Sequence, residues 1–312
     1  MIRRRTLVAL APAWLAACAA PPQTAALRQA PGVPRRPVEL HATPFFPQTE
    51  LHCGPAALAT VLAAAGRPAD LATLGEQIFL PGRGGTLQVE MLAGARRHAV
   101  VPVRLAPRLE ALLDELDAGT PLVVLQNLGL SFVPRWHYAV LVGHDIARDE
   151  LVLRSGTTKR ATLGFTPFEH TWARGGHWAF VALAPGRLPA SAEEAPVAEA
   201  AVAFERVARP ADAVLVYEAA SARWPANLVL ALGLGNTRHA AGDPAGAAQA
   251  FAQAARQHDS AAAWNNLARV QWERGDRVAA VDAATRAVRR AEQAEPRWLD
   301  AARDTARAVG VR

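Results

Sequence analysis

Cysteine is nearly missing from this chain: there are two in 312 residues, Cys18 and Cys53. No disulfide framework can be built on them, so the fold must rest on a hydrophobic core. Lysine is rarer still, Lys159 being the only one, and the remaining basic residues are arginines scattered without a run or stripe. That excludes the footprint of a nucleic-acid-binding protein. Aromatic residues make up only 6% of a chain that is 51% hydrophobic, with alanine recurring throughout. Such small side chains favour close-packed helices over an all-β sandwich, and the length allows two domains. Beyond the N-terminus no run approaches about 18 uninterrupted apolar residues, so no transmembrane helix is expected. No pair of ligand-type residues has a familiar zinc spacing. The glycines between Pro81 and Thr86 lack the strand and lysine of a phosphate loop. Neither a metal nor a nucleotide cofactor is expected.

What is present starts with Met1-Ile2-Arg3-Arg4-Arg5, a basic opening followed by an apolar stretch over residues 6 to 17. This is the pattern of an export signal. Leu15-Ala16-Ala17-Cys18 resembles the lipobox of bacterial lipoproteins, which implies cleavage before Cys18 and lipidation of that cysteine. Removing Arg3, Arg4 and Arg5 would lower the formal charge from +6 to +3 (34 − 3 basic against 28 acidic residues). Acyl chains on Cys18 would hold the protein on a membrane. Ala19 stands where an aspartate is associated with inner-membrane retention, so the expected place is the outer membrane, facing the periplasm. Cys53 would then be the one free thiol in an oxidising compartment, which favours a chemical use for it.

Residues 18 to 39 are rich in Pro, Ala and Gln, lack apolar periodicity, and read as a flexible tether. Residues 40 to 188 form a first domain. Cys53-Gly54-Pro55 opens a helix over 56 to 65, with Pro in its first turn and Gly66 past its end. Further helices are expected over 71 to 78, 87 to 98 and 109 to 118. Short β-leaning runs follow at 121 to 126, 136 to 143, 150 to 154 and 177 to 183, with 144 to 149 as a hairpin turn. Helices first and an antiparallel sheet after them make an α+β domain.

Residues 189 to 312 consist of Ala-rich helical periods broken at Gly242-Asp243-Pro244 and Gly275-Asp276, 33 residues apart (275 − 242). Ala247, Phe251 and Ala254, with Asn265, Leu267 and Ala268, resemble the helix pairs of tetratricopeptide repeats. Residues 211 to 224 would supply a partner helix and 297 to 309 a cap. Such an array is expected to bind a protein partner.

The chemistry gathers in the first domain. A helix N-terminus favours a thiolate, and Cys53 is expected at one, with a lowered pKa. Its base could be His137, which opens the run Trp136-His137-Tyr138-Ala139-Val140-Leu141-Val142, or His177, which opens His177-Trp178-Ala179-Phe180. His52 adjoins the cysteine and should project away from it. The pattern alone leaves both bases open.

Gln48, then Cys53-Gly54-Pro55-Ala56-Ala57-Leu58, then His137-Tyr138-Ala139-Val140-Leu141-Val142-Gly143 resemble the papain-like cysteine peptidases of the bacteriocin-processing type, which remove double-glycine leaders. The resemblance spans residues 44 to 185. It implies Cys53 as nucleophile, His137 as general base and acid, and Gln48 as a side-chain donor of the oxyanion hole. It also selects His137 over His177. The family places an aspartate on the strand after the histidine, whereas this chain reads Leu153-Arg154-Ser155-Gly156 there. Ser155 is expected in that place, with Asn127 and Asp145 as other groups that could orient the ring.

These features lead to an expected membrane-anchored, exported cysteine peptidase acting on a peptide or protein substrate. A second expectation is an inactive peptidase fold serving as a peptide-binding adaptor. An amide-forming acyltransferase on the same nucleophile is a third.

Overall fold

The computed structural model describes residues 21–29, 35–47 and 52–311. Its first part is built on a mixed layer of helix and antiparallel strand: α1 (Pro22–Gln29), β1 (Val38–Glu39), α2 (Cys53–Ala64), α3 (Leu71–Ile78), α4 (Gln88–Arg97), β2 (Val101–Arg104), α5 (Leu109–Asp117), β3 (Leu122–Asn127), β4 (Trp136–Asp145), β5 (Glu150–Ser155), β6 (Thr158–Leu163), α6 (Phe165–Arg174) and β7 (Ala179–Leu183). The strands run in the order β2-β7-β3-β4-β5-β6. Every pairing is antiparallel. β1 continues the β3 edge of β4 beyond the end of β3, setting Val38 opposite His144. Gly143 permits this, because a Cβ there would stand 2.5 Å from the Val38 carbonyl oxygen.

Side chains alternate across the sheet, as the strand period demands. Tyr138, Val140 and Val142 of β4 join Val123, Leu125 and Phe180 against α2, α3 and α4, where Leu58, Leu62, Leu74, Ile78 and Met91 are fully buried. Ala139 and Leu141 face the other way, with Val124, Leu153 and Val181, against Leu112, Leu116, Phe168 and Trp172 of α5 and α6. Every residue of α2 from Cys53 to Leu62 is buried. The small side chains of Ala56, Ala57 and Ala59 let that helix lie close to the strands.

The second part is all helix: α7 (Glu194–Glu205), α8 (Pro210–Arg223), α9 (Leu228–Ala240), α10 (Pro244–His258), α11 (Ala261–Glu273), α12 (Arg277–Gln293) and α13 (Leu299–Ala308). The two Gly-Asp turns are built alike. Gly242 and Gly275 take positive φ (81° and 83°), and Asp243 and Asp276 then cap the next helix by accepting from the Gly246 and Ala279 amides. Ala247, Phe251, Ala254, Asn265, Leu267 and Ala268 are all buried, as their repeat-like spacing predicts. The architecture is α+β with an antiparallel sheet, followed by stacked helices.

Two expectations need correction. Part of the stretch read as a tether is structured: α1 packs on α5 and α6. Its first amides find an acceptor in the buried Glu169 carboxylate, which receives the Gln23 N–H at 3.0 Å and both the N–H and hydroxyl of the fully buried Thr24 at 2.6 Å. An acceptor 145 residues away leaves no local trace. The strand expected from residue 177 begins at Ala179 instead. His177 has φ 52° and donates its N–H to the Trp172 carbonyl, closing the C-terminal end of α6.

The hydrophobic core does not stop at residue 188. Val197, Ala201, Phe204, Val216, Tyr217 and Leu230 of α7, α8 and α9 join the cluster that holds Leu112, Leu141 and Trp172. The sheet and the first helices of the stack share one interior.

Candidate active site

Cys53 opens α2, with Pro55 in the first turn where a missing N–H costs nothing. Its side chain is only 9% exposed. The backbone amides of Tyr138, and then of Gly54 and Cys53 at the helix start, favour the ionised form of the thiol. The Tyr138 amide belongs to the peptide bond joining His137 to Tyr138, so the thiol lies against the main chain of β4 beside His137. Burial raises the thiol pKa and outweighs the lowering by these three amides. The helix-start effect expected from sequence is therefore present, but the net direction is reversed, because desolvation disfavours the thiolate more than the dipoles favour it.

Thr86 holds the helix start in place. Tyr138 donates its phenol hydrogen to the Thr86 carbonyl at 3.2 Å. Gly54 packs so closely on Thr86 that a Cβ would come within 2.5 Å of its Oγ1. Burial first, and then the charge of Cys53, push the Tyr138 phenol pKa up, so this hydroxyl stays a donor.

His137 is the second residue of β4 and is half-buried. Its Nε2 lies 2.8 Å from Ser155 Oγ at the end of β5. The two residues are 18 apart in sequence (155 − 137) and are brought together by the β4–β5 hairpin. Burial, and then the positive charge of Arg135, hold the imidazole pKa below its usual value. A serine hydroxyl can orient the ring through Nε2 but carries no charge to offset that burial.

Neither of the other candidates orients the ring. Asn127 Oδ1 accepts from the Gly129 and Arg135 amides at 2.9 Å each, closing the β3–β4 loop. Asp145, at the far end of β4, accepts from the Arg148 amide in the next turn. His177 stacks edge-on against Trp172, with ring centroids 4.7 Å apart. His52 stacks on Phe79 at 5.3 Å, and His144 Nε2 meets Asp117 Oδ1 at 2.7 Å. Gln48, the expected oxyanion donor, and Cys18, the expected lipid site, lie outside the described residues. Among the described residues no group of three His, Cys, Asp or Glu is placed to hold a metal ion.

The arrangement brings a thiol, an imidazole and a hydroxyl together, with burial favouring the neutral form of both thiol and imidazole. Thr86 is the residue at this site that sequence reasoning misses. A threonine shortly after the Pro81-Gly82 turn carries no chemical signature, and only its fit against Gly54 reveals it.

No protein-family profile matches the chain, and no curated protein matches it. Among solved structures, a C39-like peptidase from Bacillus anthracis is similar over 48% of this chain and 98% of its own, at 20% identity and a TM-score of 0.42. The peptidase domain of Streptococcus ComA, a bifunctional ABC transporter of a quorum-sensing pathway, matches 46% of this chain and 98% of its own, at 21% identity and a TM-score of 0.39. The helical part is similar to the Yersinia enterocolitica type III secretion chaperone SycD, solved with a peptide of the translocator YopD, over 36% of this chain and 88% of that one, at 19% identity and a TM-score of 0.34.

Proposed function

We propose that this protein is a cysteine peptidase that hydrolyses peptide bonds with Cys53 as nucleophile and His137 as base and acid, exported and lipid-anchored through Cys18. The observation that carries the reading is the order of contacts: Cys53 sulfur against the amide that follows His137, and His137 Nε2 against Ser155 Oγ at 2.8 Å. This is a nucleophile, a base and an orienting group in sequence.

With Nε2 engaged by Ser155, Nδ1 remains to accept the thiol proton. The sulfur then attacks the peptide carbonyl, and the oxyanion forms near the α2 N-terminus, where the Cys53 amide and the side chain of Gln48 are the proposed donors. The imidazolium gives its proton to the departing amine, the C–N bond breaks, and a thioester remains. Water, deprotonated by His137, attacks the thioester, the C–S bond breaks to release the acid, and the imidazolium returns its proton to the Cys53 sulfur.

The stacked helices are proposed to hold a protein partner or a segment of the substrate. Asn236 on α9 and Asn266 on α11 line one depression with Arg269 and Phe251, and the Asn266 amide donates to Asn236 Oδ1 at 3.4 Å. Amide side chains in such a depression suit hydrogen bonding to an extended backbone. The proposed place of work is the outer membrane, facing the periplasm.

A second reading, a peptide-binding adaptor without turnover, is favoured by two observations: the uncharged hydroxyl of Ser155 is the group on His137 Nε2, and burial raises the thiol pKa. Alkylation of Cys53 by iodoacetamide across pH separates the two. A peptidase requires the rate to fall in His137→Ala, and a set of soluble peptides to be cleaved by the wild type and not by Cys53→Ser. Alkylation indifferent to His137, with no cleavage, would refute the peptidase reading and leave the adaptor.

A further inference from the structure

Five of the twelve large apolar side chains exposed among the described residues fall within nine residues of chain: Leu128, Leu130, Phe132, Val133 and Trp136. The first four lie in the loop between β3 and β4, and Trp136 opens β4, immediately before His137. Phe132, at the loop's tip, is 81% exposed. The loop does not collapse onto the body, because its own hydrogen bonds hold it out. Asn127 Oδ1 ties Gly129 to Arg135, the Leu128 amide donates to the Arg135 carbonyl at 2.9 Å, and Leu130 bridges Val133. Arg174 of α6 donates to the Asn127 carbonyl at the base, at 3.0 Å.

We infer that this loop is a membrane-inserting tip, its apolar residues entering the acyl region of a bilayer with Trp136, Arg135 and Arg174 at headgroup level. Three observations favour a bilayer over a polypeptide as the occupant. The tip is a convex turn, and an extended peptide needs a groove. Its base carries two arginines, Arg135 and Arg174, the second bound to the Asn127 carbonyl. Anionic headgroups complement that pattern, and an indole suits the interface.

The third observation is where the chain enters. Gln23, near the start of α1, donates to the Pro107 carbonyl at 3.0 Å and accepts from the Leu109 amide at 2.6 Å, just past the end of β2. The ends of β2 and β3 adjoin the start of β7, where Leu105 and Leu125 donate to Ala179 and Trp178. The other end of α1 sits at the opposite edge, where Arg28 pairs with Asp149 in the β4–β5 turn at 2.8 Å. The start of α1 and the apolar loop therefore share one end of the sheet. Cys18 is three residues before Pro21, within about 11 Å of chain. The acyl chains and the apolar, basic tip would meet the same membrane.

This inference uses the lipid-anchor reading only to orient the molecule; the loop's chemistry stands without it. The test uses the mature chain from residue 18 carrying Cys18→Ser, sedimented with vesicles of phosphatidylethanolamine and phosphatidylglycerol. Binding is expected, weakened about tenfold or more by Leu130→Asp with Phe132→Asp, and unchanged by Val278→Asp, an exposed apolar position on α12. An unaltered iodoacetamide rate at Cys53 shows that the variants are folded. No vesicle binding by the Cys18→Ser chain, or equal binding by the loop variant, overturns the inference. So does a loop variant that loses peptide cleavage but keeps its vesicle binding, which would make the loop a substrate wall. Fractionation of cells expressing wild type or Cys18→Ser reads the lipid anchor separately.

Discussion

Replacing Ser155 by aspartate should invert the electrostatics of His137. In the wild type the ring is half-buried, meets an uncharged Oγ at 2.8 Å, and titrates below the usual imidazole value because of burial and then Arg135. A carboxylate on the same side chain would place a negative charge roughly 3–4 Å from the ring. An opposite charge at about that range moves a pKa by roughly one to three pH units, each worth about 1.4 kcal/mol. The His137 pKa in Ser155→Asp is therefore expected above that of the wild type. Where the rise exceeds the wild-type depression, the pH dependence of stability changes sign. With a depressed folded pKa, the wild type loses stability as pH falls from about 6.5 through the folded value, because the unfolded chain binds the proton more readily. With a raised folded pKa, the variant holds its extra stability below about 6.5 and loses it as pH rises through the new value. NMR titration of the ring, assigned with His137→Gln, reads the first effect, and thermal melts across the same window read the second. Ser155→Asn is the control, since it adds bulk without charge. A folded Ser155→Asp protein whose His137 titrates as in the wild type would refute the claim that an uncharged Ser155 sets this site.

Three other outcomes follow from contacts already described. Glu169→Leu removes the acceptor for the first amides of α1 and strands the buried Thr24 hydroxyl; a loss of about 2–3 kcal/mol by denaturant titration and new proteolytic cuts in residues 22 to 29 are expected. Gly54→Ala should cost about 1–3 kcal/mol, because its Cβ would sit 2.5 Å from Thr86 Oγ1; adding Thr86→Ala should recover most of that loss, and an additive double variant would contradict the contact. A chain ending at residue 188 strips Val197, Phe204 and Tyr217 from the core; it should aggregate or melt without a cooperative transition, and a well-folded monomer would show that the two parts do not depend on each other.

The sequence is informative where a single element contains its own cause. The helix read over 71 to 78 is α3 residue for residue, with Asp70 accepting from Thr73 as its cap. The Gly-Asp turns of the stack are equally local. What stays hidden depends on distant partners or on weak pattern. α1 relies on Glu169. β6 is a polar, exposed edge strand, Thr158–Leu163, with no apolar alternation to read. α6 begins beside Phe165-Thr166-Pro167 and shows its amphipathic face only once Phe165, Phe168 and Trp172 meet the sheet. At the site, the placement of Cys53 at a helix start is legible from the Gly54-Pro55 that follows it, whereas Ser155 on His137 is reached only through the family resemblance, which leaves Asn127 and Asp145 as alternatives. The direction of the thiol pKa is not legible, since it depends on how deeply the helix start is buried, and that is a property of packing.

The shared interior of sheet and helices bears on where a substrate could be cut. α7, α8 and α9 are bolted to the back of the sheet through Phe204, Tyr217 and Leu230. α9 also contributes Asn236 to the depression, so one wall of it belongs to a helix rooted in the core of the sheet. If the proposed grip on a polypeptide holds, the scaffold would act as a ruler, selecting bonds by their distance along the chain from the gripped segment. Inserting residues between the two would then move the cut by the same number.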